Sequence, residues 1–159
     1  NLNEIVGGIR EDLELVISQT GARLEVKGTL PVIQGYASQL KQLFYNLVNN
    51  SLKFRDPDRR PLVEIIARRV SDDLLTRYAH LSPEVSYWEI VVQDNGIGFD
   101  QKYADQIFTI FQRLHGRAAY EGTGIGLAIC RKVVANHHGE IYAVSSPGNG
   151  ATFHIILPE

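Results

Sequence analysis

The sequence predicts an α/β (α+β) two-layer sandwich, a mixed and mostly antiparallel sheet with helices on one face. Three observations carry that prediction. Helical and strand-like periods are interleaved along the chain. The strongest helical segment, 38–54, is apolar along one face only. The last two strand-like segments are joined by the short turn Pro147-Gly148-Asn149-Gly150, as in a hairpin. With 159 residues, 44% apolar and 21% charged, the chain is expected to form one domain, 1–159, that buries its own core.

The elements follow in order. Ile5, Ile9, Leu13 and Ile17 recur at near-helical spacing and predict a helix over 2–18, ended by Gly21. Residues 23–27 alternate like a strand, and 31–33 read as a second short extended piece. Leu40, Leu43, Phe44, Leu47 and Val48 form the apolar stripe of the main helix, which Asp56-Pro57-Asp58 stops. Segments 62–70 and 87–93 are rich in Val and Ile and predict strands. Between them, 71–86 is long for a hairpin loop, and Leu74, Leu75, Tyr78 and Leu81 suggest a short amphipathic helix. A helical stretch near 103–111, a long helix over 124–137 and strands at 140–144 and 151–157 complete the chain.

Composition excludes several classes. Sixteen Lys and Arg stand against eighteen Asp and Glu, a net charge of -2, so neither nucleic acid nor an anionic membrane surface is an expected partner. Cys130 is the single cysteine and forms no internal bridge. No apolar run reaches the roughly 18 residues of a membrane span, and no signal peptide opens the chain. The five histidines have no metal-ligand spacing, and His137 with His138 suits a helix C-terminus, where positive charge meets the dipole. A first residue Asn1 and the lack of methionine suggest a piece of something longer.

Three motifs carry chemistry. Asn46, Asn50 and Lys53, at spacings of four and three, share one stripe of the main helix. That stripe is either a solvated face or a pocket wall, where a carboxamide oxygen suits magnesium and a lysine suits phosphate. Asp94-Asn95-Gly96-Ile97-Gly98 follows a strand. It is either a tight turn or a site where the carboxylate accepts hydrogen bonds from an exocyclic amine and a water, with glycines admitting a flat ring. Gly122-Thr123-Gly124-Ile125-Gly126-Leu127 opens a helix and is either a hinge or a phosphate loop of exposed N–H groups. It lacks the lysine and hydroxyl of a Walker loop and follows no strand, which removes the P-loop and Rossmann readings. Upstream lie Phe108 and Phe111, then a polar run with Arg113, His115 and Arg117 that could close over phosphates.

The order of these motifs resembles the catalytic ATP-binding domain of sensor histidine kinases. Residues 46–54 resemble its N box, 94–98 its G1 box, 107–111 its F box, 122–127 its G2 box, and 148–153 its final glycine motif. Residues 111–117 look like the phytochrome-type and related soluble-sensor members. The resemblance implies a Bergerat-type fold with ATP between sheet and helices. It implies that Asp94 hydrogen-bonds the adenine amine, beside Gly96 and Gly98, and that Asn50 ligates Mg2+. Asn46 would line the phosphate side and Lys53 would approach the phosphates. Gly122, Thr123, Gly124, Gly126 and Leu127 would hold the triphosphate, Arg113 would be a lid cation, and Thr152 would sit near the adenine. Residues 99–123 would be a mobile ATP lid, and Phe108 and Phe111 a partly exposed contact for a partner domain. Ser51 replaces a common alanine, His138 replaces a frequent glycine, and 71–86 looks like an insertion.

Hydrolysing relatives carry a glutamate general base where this chain has Asn46, and a carboxamide has no useful basicity at neutral pH. The expected function is therefore presentation of the ATP γ-phosphate to a histidine on a dimerisation and phosphoacceptor helical domain. A hydrolysing clamp and a non-catalytic nucleotide-binding module are the alternatives. No histidine here stands in a phosphoacceptor box, so that domain is expected to lie outside this chain. The other implied partner is a response regulator receiver domain. The resemblance implies a cytoplasmic domain with no direct membrane contact, whatever anchors the parent protein.

Overall fold

A computed structural model describes residues 1–109 and 125–159. Strands β1 (Arg23–Lys27), β2 (Leu62–Arg69), β3 (Tyr87–Asp94), β4 (Glu140–Ser145) and β5 (Ala151–Pro158) form one sheet in the order β1-β2-β3-β5-β4. Only β1 and β2 run parallel; the other three pairs are antiparallel. Helices α1 (Leu2–Asp12), α3 (Ala37–Lys53) and α5 (Gly126–Asn136) pack on one face, which gives the predicted two layers.

Register decides which side chains meet the helices, because alternate residues of a strand face opposite ways. Ile90 pairs with Ile155 and Val92 with Phe153, and all four are buried under the helices with Val63 and Ile65. From above they meet Leu43, Phe44, Leu47 and Val48 of α3, and Cys130, Val133 and Val134 of α5. Each fully buried Leu, Ile or Phe contributes about 1.5–3 kcal/mol, so this is the domain's main core.

The helix predicted over 2–18 is kinked at Leu13 (φ -101°, ψ 9°), and the short α2 (Glu14–Thr20) follows with no buried residue. Leu13 stays in the core while the chain turns away toward Gly21, which takes φ 67°. The extended piece at 31–33 is not a strand. Its neighbours bond instead to the start of α1: Leu2 N–H donates to Pro31 O, and the Asn3 carboxamide both accepts from Leu30 N–H and donates to Leu30 O.

The other sheet face is covered in part by 71–86. The predicted amphipathic helix forms only one turn, α4 (Asp72–Leu75). Its apolar residues still do what the pattern suggested, since Leu74, Leu75, Tyr78 and Leu81 pack on Tyr87, Tyr142 and Ile156 in a second, smaller cluster. The same face holds a buried acid, Glu89, with Arg68 on one carboxylate oxygen and His154 (2.7 Å) and Tyr142 (3.2 Å) on the other.

Helix α5 ends in a Schellman turn, with Gly139 N–H donating to Val134 O and His138 N–H to Ala135 O, both at 3.0 Å. His138 takes the left-handed conformation, φ 57°, so a histidine fills the position where glycine is usual and the turn is kept. His137 stands at the C-terminal end of α5, as expected. It is buried, its Nε2 accepts from Tyr36 N–H at 3.0 Å, and its Nδ1 donates to Val133 O at 2.7 Å. An acceptor nitrogen requires the neutral ring.

Candidate functional site

The site lies at the end of β3, between the C-terminal half of α3 and the start of α5. Asp94 is the last residue of β3, and its register places it on the helix-covered face. Its Oδ1 accepts from Gly96 N–H at 2.9 Å and from Ala151 N–H at 3.1 Å. Burial raises its pKa above the ordinary aspartate value, and hydrogen bonds from Gly96, Ser51 and Ala151 only partly offset that. The carboxylate is thus oriented by neutral donors and half-buried, an acceptor well placed for an amine.

The turn after Asp94 is packed backbone on backbone. Ile97 N–H donates to Phe54 O at the end of α3, and Ile97 O accepts from Gly148 N–H at 2.7 Å. A Cβ on Gly96 would collide with Phe54 O, and one on Gly98 (φ 64°) with Ser146 O. The room these glycines leave is therefore taken by protein backbone. On the side a Cβ would occupy, these glycines have a tight-packing duty, which fixes Asp94. Asn95 locks the same turn from outside, accepting from Leu62 N–H and donating to Arg60 O.

The polar stripe of α3 meets α5 at Asn46. The Asn46 carboxamide donates to Gly126 O at 3.3 Å, joining the two helices at the N-terminus of α5. Asn50, one turn on, makes no side-chain hydrogen bond among the described residues. The Lys53 ammonium lies 5.2 Å from the Phe54 ring centroid. Gly126 and Leu127 open α5, where helix N–H groups and dipole favour an anion. Gly122, Thr123, Gly124, Arg113 and Phe111 lie outside the described residues.

Two placements differ from expectation. Thr152 pairs with Gln93 and Val144, so it sits on the sheet face opposite Asp94. Its neighbour Ala151, through the backbone N–H, is the residue that reaches the site. Phe108 is not a partly exposed docking residue. It is 3% exposed, meets Phe153 edge to face at 6.2 Å and carries the Arg131 guanidinium 4.8 Å from its ring. The first part of the expected lid is likewise anchored. Phe99 N–H donates to Ser145 Oγ, Gln101 bonds Ala143 O and Ser145 N–H on the edge of β4, and Ile107 is buried.

Sequence reasoning missed Ser51 as a buried hydroxyl beside Asp94, marking it only as a replacement for a common alanine. It also missed Arg59, whose Nη2 lies within hydrogen-bond distance of Asp56 Oδ2 (2.9 Å), Gly96 O (3.0 Å) and Gly148 O (2.7 Å). Ser51 could have been found from its place one residue after Asn50 on the buried side of α3. Nothing in the sequence signals Arg59, because its acceptors are backbone carbonyls 37 and 89 residues away.

Comparison with known proteins gives the family and the fold. The chain is 39% identical to the phytochrome-like protein Cph1 of Synechocystis sp. over 158 residues, which are 99% of this chain and 19% of that protein. It is 40% identical to cyanobacterial phytochrome A of Nostoc sp., over 99% of this chain and 18% of that protein. The chain thus spans about a fifth of the length of these relatives. Among solved structures, the mycobacterial sensor histidine kinase MprB superposes with a TM-score of 0.75 at 24% identity, over 99% of this chain and 93% of that one. Full-length ShkA in complex with AMPPNP superposes with a TM-score of 0.75 at 22% identity, over 99% of this chain and 30% of that one. At these identities the likeness is one of fold. Residues 35–159 match the family described as histidine kinase-, DNA gyrase B- and HSP90-like ATPase, and the chain belongs to that family.

Proposed function

We propose that this domain binds Mg-ATP and presents its γ-phosphate to a histidine of a separate helical domain, as the catalytic domain of a sensor histidine kinase. The observation that carries the proposal is Asn46. The family includes ATPases, and hydrolysis needs a base that takes a proton from water. Asn46 offers a carboxamide that already donates to Gly126 O, and it has no proton-accepting power near neutral pH. What remains is binding and positioning, which do most of the work in phosphoryl transfer.

In this reading the Asp94 carboxylate selects adenine through its exocyclic amine. The N–H groups at the start of α5 face the phosphates, with Lys53 and Arg113 as cations. A carboxamide oxygen is a hard ligand that suits magnesium held otherwise by phosphate and water. Asn50 would supply one carboxamide oxygen, and the bound ion would neutralise phosphate charge. The names of the relatives, phytochromes and sensory kinases, support a signalling kinase. One structural neighbour is a histidine kinase in complex with a response regulator, which supports a receiver domain as the onward partner. No described helix is long and apolar enough to cross a membrane, and we propose a cytoplasmic setting.

The test adds a purified phosphoacceptor domain and γ-labelled ATP to this chain. Label on histidine supports the proposal. Free phosphate would mean a hydrolase, and neither product would mean a non-catalytic nucleotide-binding module.

A further inference from the structure

We propose that Arg59 is a positioning residue for purine recognition, clamping together the two turns whose N–H groups hold Asp94. The inference rests on the reading of Asp94 as the adenine acceptor. Asp94 Oδ1 is fixed by Gly96 N–H from one turn and by Ala151 N–H, which follows the 146–150 turn. The first turn leads from β3 toward α5 and the second joins β4 to β5, and among the described residues one direct backbone bond links them, Gly148 N–H to Ile97 O at 2.7 Å. Arg59 supplies the second tie. Its Nη2 bonds the carbonyl of Gly96, the residue whose N–H holds Asp94, and the carbonyl of Gly148 across the gap.

The guanidinium is itself held. Asp56 Oδ2 lies 2.9 Å from the same nitrogen, whose two hydrogens are shared among the three acceptors, and Asp56 Oδ1 accepts from Asp58 N–H at 2.8 Å, so the 56–59 turn aims the arginine. A planar, always-charged group binding backbone carbonyls suits this duty better than a flexible ammonium. Among the described residues Asp94 receives neutral donors, the Ser51 hydroxyl and two backbone N–H groups, and both backbone donors meet Oδ1, so the aim of that oxygen depends on where the two turns point them. If the turns move apart, the carboxylate loses one donor and its aim.

A general attraction of Arg59 for polyphosphate is the competing explanation, and the base distinguishes the two. Binding of ATP and of purine riboside triphosphate, which lacks the exocyclic amine, is measured on the parent chain, Asp94→Asn, Arg59→Gln and the double variant. Arg59→Gln is expected to weaken ATP about tenfold while leaving the amine-free nucleotide within about twofold. The double variant is expected to bind ATP no more weakly than Asp94→Asn alone, because both act through one contact. Arg59→Lys keeps the charge on a shorter arm and is expected between parent and Arg59→Gln. It also serves if the glutamine variant does not fold, an unchanged ATP preference then counting against the clamp.

Equal weakening of both nucleotides in Arg59→Gln, or of neither, would overturn the clamp while leaving the adenine role of Asp94 standing. Parental binding of both nucleotides by Asp94→Asn would overturn the adenine role and the clamp with it.

Discussion

Asp94 and Glu89 are acids of the same strand, five residues apart and so on opposite faces of the sheet. Both are withdrawn from water, and burial pushes both pKa values up. They differ in what opposes it. For Glu89, hydrogen bonds and charges from Arg68 and His154 overcome burial and hold the carboxyl below the usual glutamate range. Tyr142 adds a hydrogen bond, its own hydroxyl pushed up to about 12 by burial and by Glu89. For Asp94 the opposing groups are neutral, and burial wins. The outer-face acid is neutralised within the protein. The inner-face acid is oriented and, among the described residues, meets no cation, as suits an acceptor whose partner is a ligand.

The faces also differ in how much core they hold, which gives the largest expected effect. Phe108→Ala removes an aromatic from the main core and is expected to cost about 3–5 kcal/mol of stability. Leu81→Ala empties part of the smaller outer cluster, which collapses more easily, and is expected near the low end for such a change, about 2 kcal/mol. Denaturant unfolding of both variants checks the ranking. Equal losses would mean that 71–86 is as much a part of the core as the helices.

Next in size is Asp94→Asn. Loss of the charge-assisted hydrogen bond is expected to cost about 1.5–3 kcal/mol of ATP binding, read by calorimetry. Stability at neutral pH should not fall, because asparagine keeps an oxygen for the Gly96 and Ala151 N–H groups and buries no charge. A variant that loses stability as well would make Asp94 a structural acid like Glu89.

The pH dependence separates the pair further, because the signs are opposite. The folded pKa of Glu89 is below 4.5, so its stabilisation is present above 4.5 and is lost as pH falls through the folded value. The folded pKa of Asp94 is above 3.8, so its contribution is present below 3.8 and is lost as pH rises through the folded value. Glu89→Gln should be less stable than the parent at neutral pH, with the deficit shrinking on acidification. Any gain in Asp94→Asn should shrink in the same direction. Unfolding free energies across the acid range check this, and a deficit in both variants would erase the distinction.

The inner face was far more legible in the sequence than the outer one. Its strands and α3 announce themselves through period, because Leu43, Leu47, Ile90 and Val92 have one neighbour chemistry to satisfy. Asp94 and Asn46 could be placed from an element end and a helical stripe. The outer face mixes Arg68, Glu89, Tyr142 and His154, whose burial depends on 71–86 folding over them, and no local pattern encodes that. The resemblance puts Thr152 near the adenine without saying which sheet face it takes; alternation with the inward Phe153 puts its side chain on the face opposite Asp94. The resemblance implies a partly exposed Phe108, whereas the i, i+3 spacing with Phe111 is as compatible with core, and only the fold brings Phe108 onto Phe153 of its own chain.

The smallest expected effect lies at the turn that carries the chain from the helix layer into the sheet, and it tests whether the inner face tolerates strain away from its ligand. His138 sits at φ 57°, where a Cβ is unfavourable, and its side chain is exposed. Gly139 cannot relieve it by exchanging roles, because a Cβ there would strike Ile156 O. His138→Gly should therefore keep both Schellman hydrogen bonds and relax the backbone. Glycine also frees the unfolded chain, which offsets part of the gain. The net expectation is a stabilisation of about 0.5–1 kcal/mol with unchanged ATP affinity, read from denaturant midpoints and calorimetry. Altered nucleotide binding would mean that the end of α5 speaks to its beginning, where Asn46 holds Gly126, and that the strain at His138 serves the site.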